Sequence, residues 1–89
     1  MFSKNSTKRK DRSQARAKLR EEMKDYKLWR RKFKRAIRNV NYAKVDNLID
    51  VAVYYGYKIP GLESNYILRQ MKEKHTKLQE MQKAMEESE

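Results

Sequence analysis

Residues 42–57 read YAKVDNLIDVAVYYGY and form the most apolar stretch of this 89-residue chain. Apolar side chains recur there at steps of three and four, the period of a helix with a buried stripe: Val45, Leu48, Ile49, Ala52 and Tyr55. Val51 and Tyr54 widen the apolar surface, and Gly56 stands where a left-handed residue commonly ends a helix. The pattern predicts a short, buried helix over 42–55.

Residues that break regular structure are rare on either side of this stretch, because the chain has two Gly and one Pro. Pro60 and Gly61 mark one turn, and Asn39 and Asn41 mark another. Few turns in 89 residues imply few, long elements, and elements of that length are helices. The sequence predicts an all-α, three-helix arrangement, in which two long amphipathic helices over about 11–40 and 62–86 flank the short one.

The two ends of the chain differ in character. Residues 1–10, MFSKNSTKRK, offer little to bury and are predicted to be a flexible, disordered basic arm. Residues 11–89 are predicted to form a single helical domain. The last helix has a near-heptad seam that favours a homodimer through this helix: Ile67, Met71, His75, Leu78, Met81 and Met85.

Charge is distributed unevenly along the chain. Residues 1–41 hold 16 Lys and Arg against four acids, a balance of +12, while residues 42–89 hold seven bases against eight acids, a balance of −1. A net charge of +11 on so short a chain repels itself in the compact state unless an anionic partner offsets it. Nucleic acid is a common partner of this kind, since each neutralised phosphate also releases counterions.

The densest positive charge lies in residues 27–38, KLWRRKFKRAIR, of which seven are basic. Arginine is favoured at phosphate because its planar guanidinium can donate two parallel hydrogen bonds. With the arm as an auxiliary contact, the predicted nucleic-acid-binding residues are Lys8, Arg9, Lys10, Arg16, Arg20, Lys27, Arg30, Arg31, Lys34, Arg35 and Arg38. The same stretch is also compatible with an anionic membrane surface or with a groove in a partner protein.

A weaker pattern surrounds Gly56. Ala52 and Gly56 lie four residues apart, as a small residue and a turn glycine do in a helix-turn-helix, and a further helix follows. The side chains that would then reach base edges are Ser64, Asn65, Arg69 and Gln70. Plain helix packing is the competing interpretation. Tyrosines 54, 55, 57 and 66 cluster near this turn, where they either stack on bases or pack locally.

Patterns that carry chemistry are missing from the sequence. There is no Cys, and the single His75 has no second histidine to share a metal. Asp46 and Asp50 are four residues apart and are expected to face solvent or to pair with bases of the first helix, such as Arg35 or Arg38. No glycine-rich phosphate loop and no nucleophile with a base occurs. We therefore expect no enzymatic activity, no metal and no cofactor.

Together these patterns predict a small nucleic-acid-binding accessory or regulatory protein, with DNA and RNA both open as ligands. The alternative is a regulator or inhibitor that docks on an acidic protein, such as part of a transcription or translation machine. A structural role in a ribonucleoprotein or virion is a third interpretation. No apolar run is long enough to span a membrane, so a cytoplasmic location is expected. Abundant Lys, Asn, Ile and Tyr are typical of an AT-rich coding source such as a phage or a low-GC bacterium.

Overall fold

A computed structural model describes residues 15–87, and over this range it contains four α-helices and no strand. We label the helical residues 15–22 as α1, followed by α2 (Tyr26–Arg38), α3 (Tyr42–Tyr55) and α4 (Tyr66–Glu87). A single turn of 3-10 helix, Leu62–Ser64, precedes α4. The predicted all-α class is confirmed. The arm over residues 1–10, with its Lys8, Arg9 and Lys10, lies outside the described residues.

The core is organised around α3, whose bounds are those predicted from the sequence. Five of its apolar side chains have almost no exposed surface: Val45, Leu48, Ile49, Val51 and Ala52. Trp29 and Phe33 from α2, Ile59 from the connection and Leu68 from α4 complete the same cluster. Because α3 is buried on several faces, it exposes few side chains to a binding partner. Most outward-facing side chains belong to the neighbouring helices.

The single helix predicted over 11–40 is wrong, since the chain leaves helical geometry at Met23, Lys24 and Asp25. Asp25 is extended (φ −83°, ψ 114°), and its side chain accepts a hydrogen bond from the Lys27 backbone N–H, so it is the N-cap of α2. On the other side of the break, the Tyr57 hydroxyl donates to the carbonyls of Met23 and Lys24 at 2.8 and 2.6 Å. A distant aromatic residue thereby satisfies carbonyls that the end of α1 leaves free.

The turn between α2 and α3 contains a strained residue. Val40 has φ 52°, in the left-handed region that β-branched residues avoid. The backbone N–H groups of Val40 and Asn41 donate to Ile37 and Ala36, a Schellman motif in which Val40 occupies the position usually given to glycine. Asn41 then caps α3 by accepting from the Lys44 N–H. This tight reversal packs α2 against α3.

The last helix begins later than the predicted residue 62. Gly56 and Gly61 are left-handed, as their positions in the turns require (φ 76° each), and Asn65 caps α4 by accepting from the N–H groups of Ile67 and Leu68. Asp46 contacts Lys74 and His75, while Asp50 contacts His75 and Gln79. Successive turns of α3 and α4 therefore meet in the same order, so the two helices run in the same general direction. Every residue from Glu80 to Glu87 is exposed.

Candidate nucleic-acid interface

Helix α2 has two opposite faces. Its buried side chains are Trp29, Phe33 and Ala36. Lys27, Arg31, Lys34 and Arg38 recur at steps of four, three and four, which places them within about 60° of arc at ~100° per residue. At the same angular step the buried residues lie on the far side of the helix, so packing against α3 turns the four cations outward.

Six exposed cations make up what we call the basic face: Lys27, Arg30, Arg31, Lys34, Arg35 and Arg38. Helix α2 contains no acidic residue. Among residues 15–87, no carboxylate oxygen lies within 4.0 Å of a charged nitrogen of these six side chains, whereas ion pairs form on the other helices. The positive charge of the basic face is therefore not neutralised within the described part of the chain.

Trp29 anchors the basic face to the rest of the molecule. Its ring is fully buried, and its indole N–H donates to the Leu48 carbonyl at 2.8 Å. The Trp29 and Phe33 rings are stacked with centroids 4.9 Å apart, and Tyr57 packs against Trp29 with centroids 5.5 Å apart. Because α2 is held through these large side chains, the cations on its outer surface keep a fixed orientation relative to the core.

Arg20 was predicted to extend this surface, but the structure places it elsewhere. Its Nε and Nη2 donate to the two oxygens of Asp50 at 3.2 and 3.1 Å, and its guanidinium carbon lies 4.4 Å from the centroid of the Tyr54 ring. Arg20 thus connects α1 to α3. Arg16 is exposed, but it lies on α1 beside a groove that Asn47 of α3 also lines. Because the helix breaks before α2, the helical spacing of the basic face does not continue to Arg16.

The four candidate base-reading residues divide into two pairs. The Asn65 side chain is engaged as the cap of α4, and the Ser64 hydroxyl donates to the Gly61 carbonyl at 3.4 Å. Arg69 and Gln70 are exposed on α4. The connection from Gly56 to Asn65 is far longer than the three or four residues that join the helices of a helix-turn-helix. Arg69 and Gln70 therefore remain available to a ligand, while Ser64 and Asn65 serve the turn.

Asp46, Asp50 and His75 form a polar cluster between α3 and α4. The aspartates were expected to face solvent or to pair with bases of the first predicted helix, such as Arg35 or Arg38. Asp50 does pair with a base from that stretch, Arg20. Asp46 instead accepts from Lys74 of α4 at 2.9 Å and lies 3.0 Å from His75 Nε2. Burial alone raises the pKa of Asp46, but hydrogen bonds from Lys74 and His75 outweigh it and hold the pKa below its usual value. The charged side chains of this cluster thus join α3 to α1 and to α4.

The residues that set the orientation of the basic face were not predicted from the sequence. Asp25 divides the first predicted helix, and its position ahead of a helical stretch is a recognisable N-cap signal. Tyr57 orients the break from more than 30 residues away, and no local pattern indicates that contact. Burial raises the pKa of the Tyr57 hydroxyl, which favours the protonated form that donates to the carbonyls of α1.

No group of three or more metal-ligating side chains occurs within the part of the chain that the structure describes. None of the described helices combines the length and the hydropathy needed to cross a lipid bilayer. No family model, curated protein or solved structure matches this chain. Function is therefore inferred from the geometry of the chain itself.

Proposed function

We propose that this protein is a non-enzymatic nucleic-acid-binding accessory protein that contacts the phosphate backbone through the basic face of α2. The observation that carries the proposal is the combination of six exposed cations on one helix with no carboxylate within ion-pair distance in the described chain. Cations held this closely repel one another, and an anionic polymer converts that repulsion into attraction.

The dimensions of the basic face suit a phosphate backbone. Lys27 and Arg38 are eleven residues apart, which corresponds to about 16 Å along the helix axis at 1.5 Å per residue. Double-stranded DNA carries roughly one charge per 1.7 Å of its axis, so several phosphates lie within reach of a stripe of this length. Four of the six cations of the basic face are arginine, whose guanidinium can grip one phosphate with two hydrogen bonds.

The proposed binding is weakly selective for sequence. Phosphate contacts fix the position of a protein on nucleic acid but carry no base information. The exposed Arg69 and Gln70 are the described candidates for additional base contacts, and they lie on α4 rather than on the basic face. We therefore expect similar affinity for unrelated sequences of the same nucleic-acid form, with a strong dependence on salt concentration.

The decisive experiment removes charge from the basic face without altering its helix. In the variant Arg31→Gln, Lys34→Gln, Arg35→Gln and Arg38→Gln all four sites are exposed, and Gln is a good helix former. Fluorescence anisotropy with duplex DNA, single-stranded DNA and structured RNA is measured at two or more salt concentrations. Each lost phosphate contact lowers the slope of log K against log salt by about 0.9. The expected loss of slope is about 3–4 units.

A matched control changes net charge by the same amount elsewhere. Lys58, Lys72, Lys77 and Lys83 are exposed outside α2, and their joint replacement by Gln also removes four positive charges. The ion pair of Lys77 with Glu73 is exposed, so its loss costs little stability. The control should retain most of the affinity and slope. Equal losses in both variants, or normal binding by the α2 variant, would contradict the assignment to the basic face.

A pull-down with and without nuclease distinguishes nucleic acid from an acidic protein as the partner. An acidic protein could bind these cations by the same electrostatics. If wild-type protein retains its partners in a pull-down after nuclease treatment and binds none of the three nucleic acids, the protein-docking interpretation replaces this one.

A further inference from the structure

Helix α4 presents apolar side chains that the rest of the described chain does not cover. Ile67, Leu78 and Met81 are 46%, 47% and 62% exposed. Together with the half-buried Met71 and the aliphatic part of Lys74, they recur at steps of four, three, four and three, which is the heptad spacing of a helix that packs against another helix. We call these five residues the α4 stripe.

The α4 stripe differs from the seam predicted from the sequence. His75, which was placed on that seam, is 4% exposed and faces the aspartates of α3, and Lys74 takes its position on the stripe. Leu68 and His75 form the buried side of α4, and the stripe borders that side at Met71, which packs partly against the core, and at Lys74, whose ammonium binds Asp46 of α3. Within residues 15–87, the contacts of α4 with the core therefore leave Ile67, Leu78 and Met81 of the stripe largely exposed.

The charges of α4 indicate what covers the stripe. Residues 66–77 contain Arg69, Lys72, Lys74 and Lys77 against Glu73, a balance of +3. Residues 78–87 contain Lys83 against Glu80, Glu86 and Glu87, a balance of −2. A second copy lying antiparallel sets the basic half of each α4 against the acidic half of the other, whereas a parallel copy sets like charges together.

We propose that the α4 stripe is a homodimer interface in which two copies of α4 pack antiparallel. The inference is independent of nucleic-acid binding. Because the contact is a single helix pair, we expect a weak dimer with a dissociation constant on the order of micromolar or weaker.

The first experiment is sedimentation equilibrium without nucleic acid, over about 5–500 µM protein to bracket that affinity. Wild-type protein should approach twice its monomer mass with increasing concentration. The variant Leu78→Lys with Met81→Glu keeps the net charge and should remain monomeric. The matched control, Val40→Lys with Tyr42→Glu, replaces two apolar side chains that are also exposed (64% and 45%) and should dimerise like the wild type. A monomeric wild type, or a dimeric stripe variant, overturns the proposal.

The second experiment tests the orientation. The chain has no Cys, so a disulfide can form only between the two copies of one introduced cysteine. Its formation reports whether those two positions lie close together in the dimer. In the antiparallel arrangement centred near residue 76, Lys77→Cys is close to its own copy across the two-fold axis, while Gln70→Cys is displaced from its copy by roughly 18 Å at 1.5 Å per residue. Under mild oxidation the first variant should form a covalent dimer and the second should not. Failure of Lys77→Cys to cross-link, or efficient cross-linking of Gln70→Cys, contradicts the antiparallel arrangement.

Discussion

Replacing Asp50 by Asn tests whether the ion pair with Arg20 holds α1 against the rest of the fold. The Asp50 side chain is 7% exposed and that of Arg20 is 21% exposed. One Asp50 oxygen accepts from Arg20 Nη2 at 3.1 Å and from Gln79 Nε2 at 2.9 Å, and the other accepts from Arg20 Nε at 3.2 Å. Asparagine has the same shape, but its amide N–H₂ must occupy one of these two oxygen positions.

The magnitude follows from these contacts. If the oxygen of the introduced amide keeps the bonds from Arg20 Nη2 and Gln79, the amide nitrogen faces Arg20 Nε, and one hydrogen bond and the charge attraction are lost. Hydrogen bonds to charged groups contribute about 1.5–3 kcal/mol, and breaking a buried ion pair by removing one partner costs about 3–5 kcal/mol. The partial exposure of Arg20 lets water compensate its charge, so we expect a loss of about 2–3 kcal/mol. For a chain of this size the Tm falls by about 10–20 °C.

Urea denaturation followed by far-UV circular dichroism and by fluorescence of Trp29, the one tryptophan of the chain, measures this loss. Asp46→Asn is the matched control because Asp46 is more exposed (27%) than Asp50, and its partner Lys74 is mostly exposed. The introduced amide oxygen can still accept from the buried His75, so the expected loss is smaller, about 1 kcal/mol. Arg20→Gln should cost less in the Asp50→Asn background than in the wild type. If Asp50→Asn is no more destabilising than Asp46→Asn, the Arg20–Asp50 pair does not hold α1.

Two further predictions concern the turn and the polar cluster. Val40→Gly should raise the free energy of unfolding by about 1 kcal/mol in thermal unfolding, because an L-residue in the left-handed region costs about 1–2 kcal/mol and Val40 is exposed. The greater conformational freedom of Gly in the unfolded chain offsets part of this gain. A destabilised variant would show that the packing of Val40 outweighs its backbone strain. Because folding lowers the pKa of Asp46, the ionised carboxylate stabilises the fold at pH values above the pKa of the unfolded carboxyl. This contribution is lost as pH falls through the folded pKa. Asp46→Asn should therefore lose less stability than the wild type between neutral pH and the folded pKa in acid titrations, and equal losses would contradict the role of Lys74 and His75.

The local sequence pattern was sufficient to predict a helix wherever that helix is stabilised by burial of its own apolar face. The bounds of α3 and its buried stripe were predicted correctly, because an apolar sequence at helical spacing must be buried on several sides. The separation of the α2 cations from Trp29 and Phe33 was also implied by their spacing, since the helical period alone assigns them to opposite faces.

Contacts between distant residues could not be predicted in the same way. Arg20 and Arg31 look equivalent in the sequence, yet Arg20 meets Asp50 across 30 residues while Arg31 is exposed. His75 was assigned to the apolar seam of the last helix, as a partly buried residue, but its place on the helix depends on where the aspartates of α3 lie. Side-chain charge is fixed by the residue type, whereas its partner is fixed by packing.

The helical class, the buried middle helix and the concentration of cations in the first half follow from composition and from the 3.6-residue period, so the amino-acid order was enough to predict them. The tertiary structure decided which cations remain without a carboxylate, where the first helix breaks and which face of α4 is left uncovered. Each of those outcomes depends on groups brought together across long sequence separations, such as Tyr57 with Met23 and Asp46 with His75. A one-dimensional pattern does not specify such pairs.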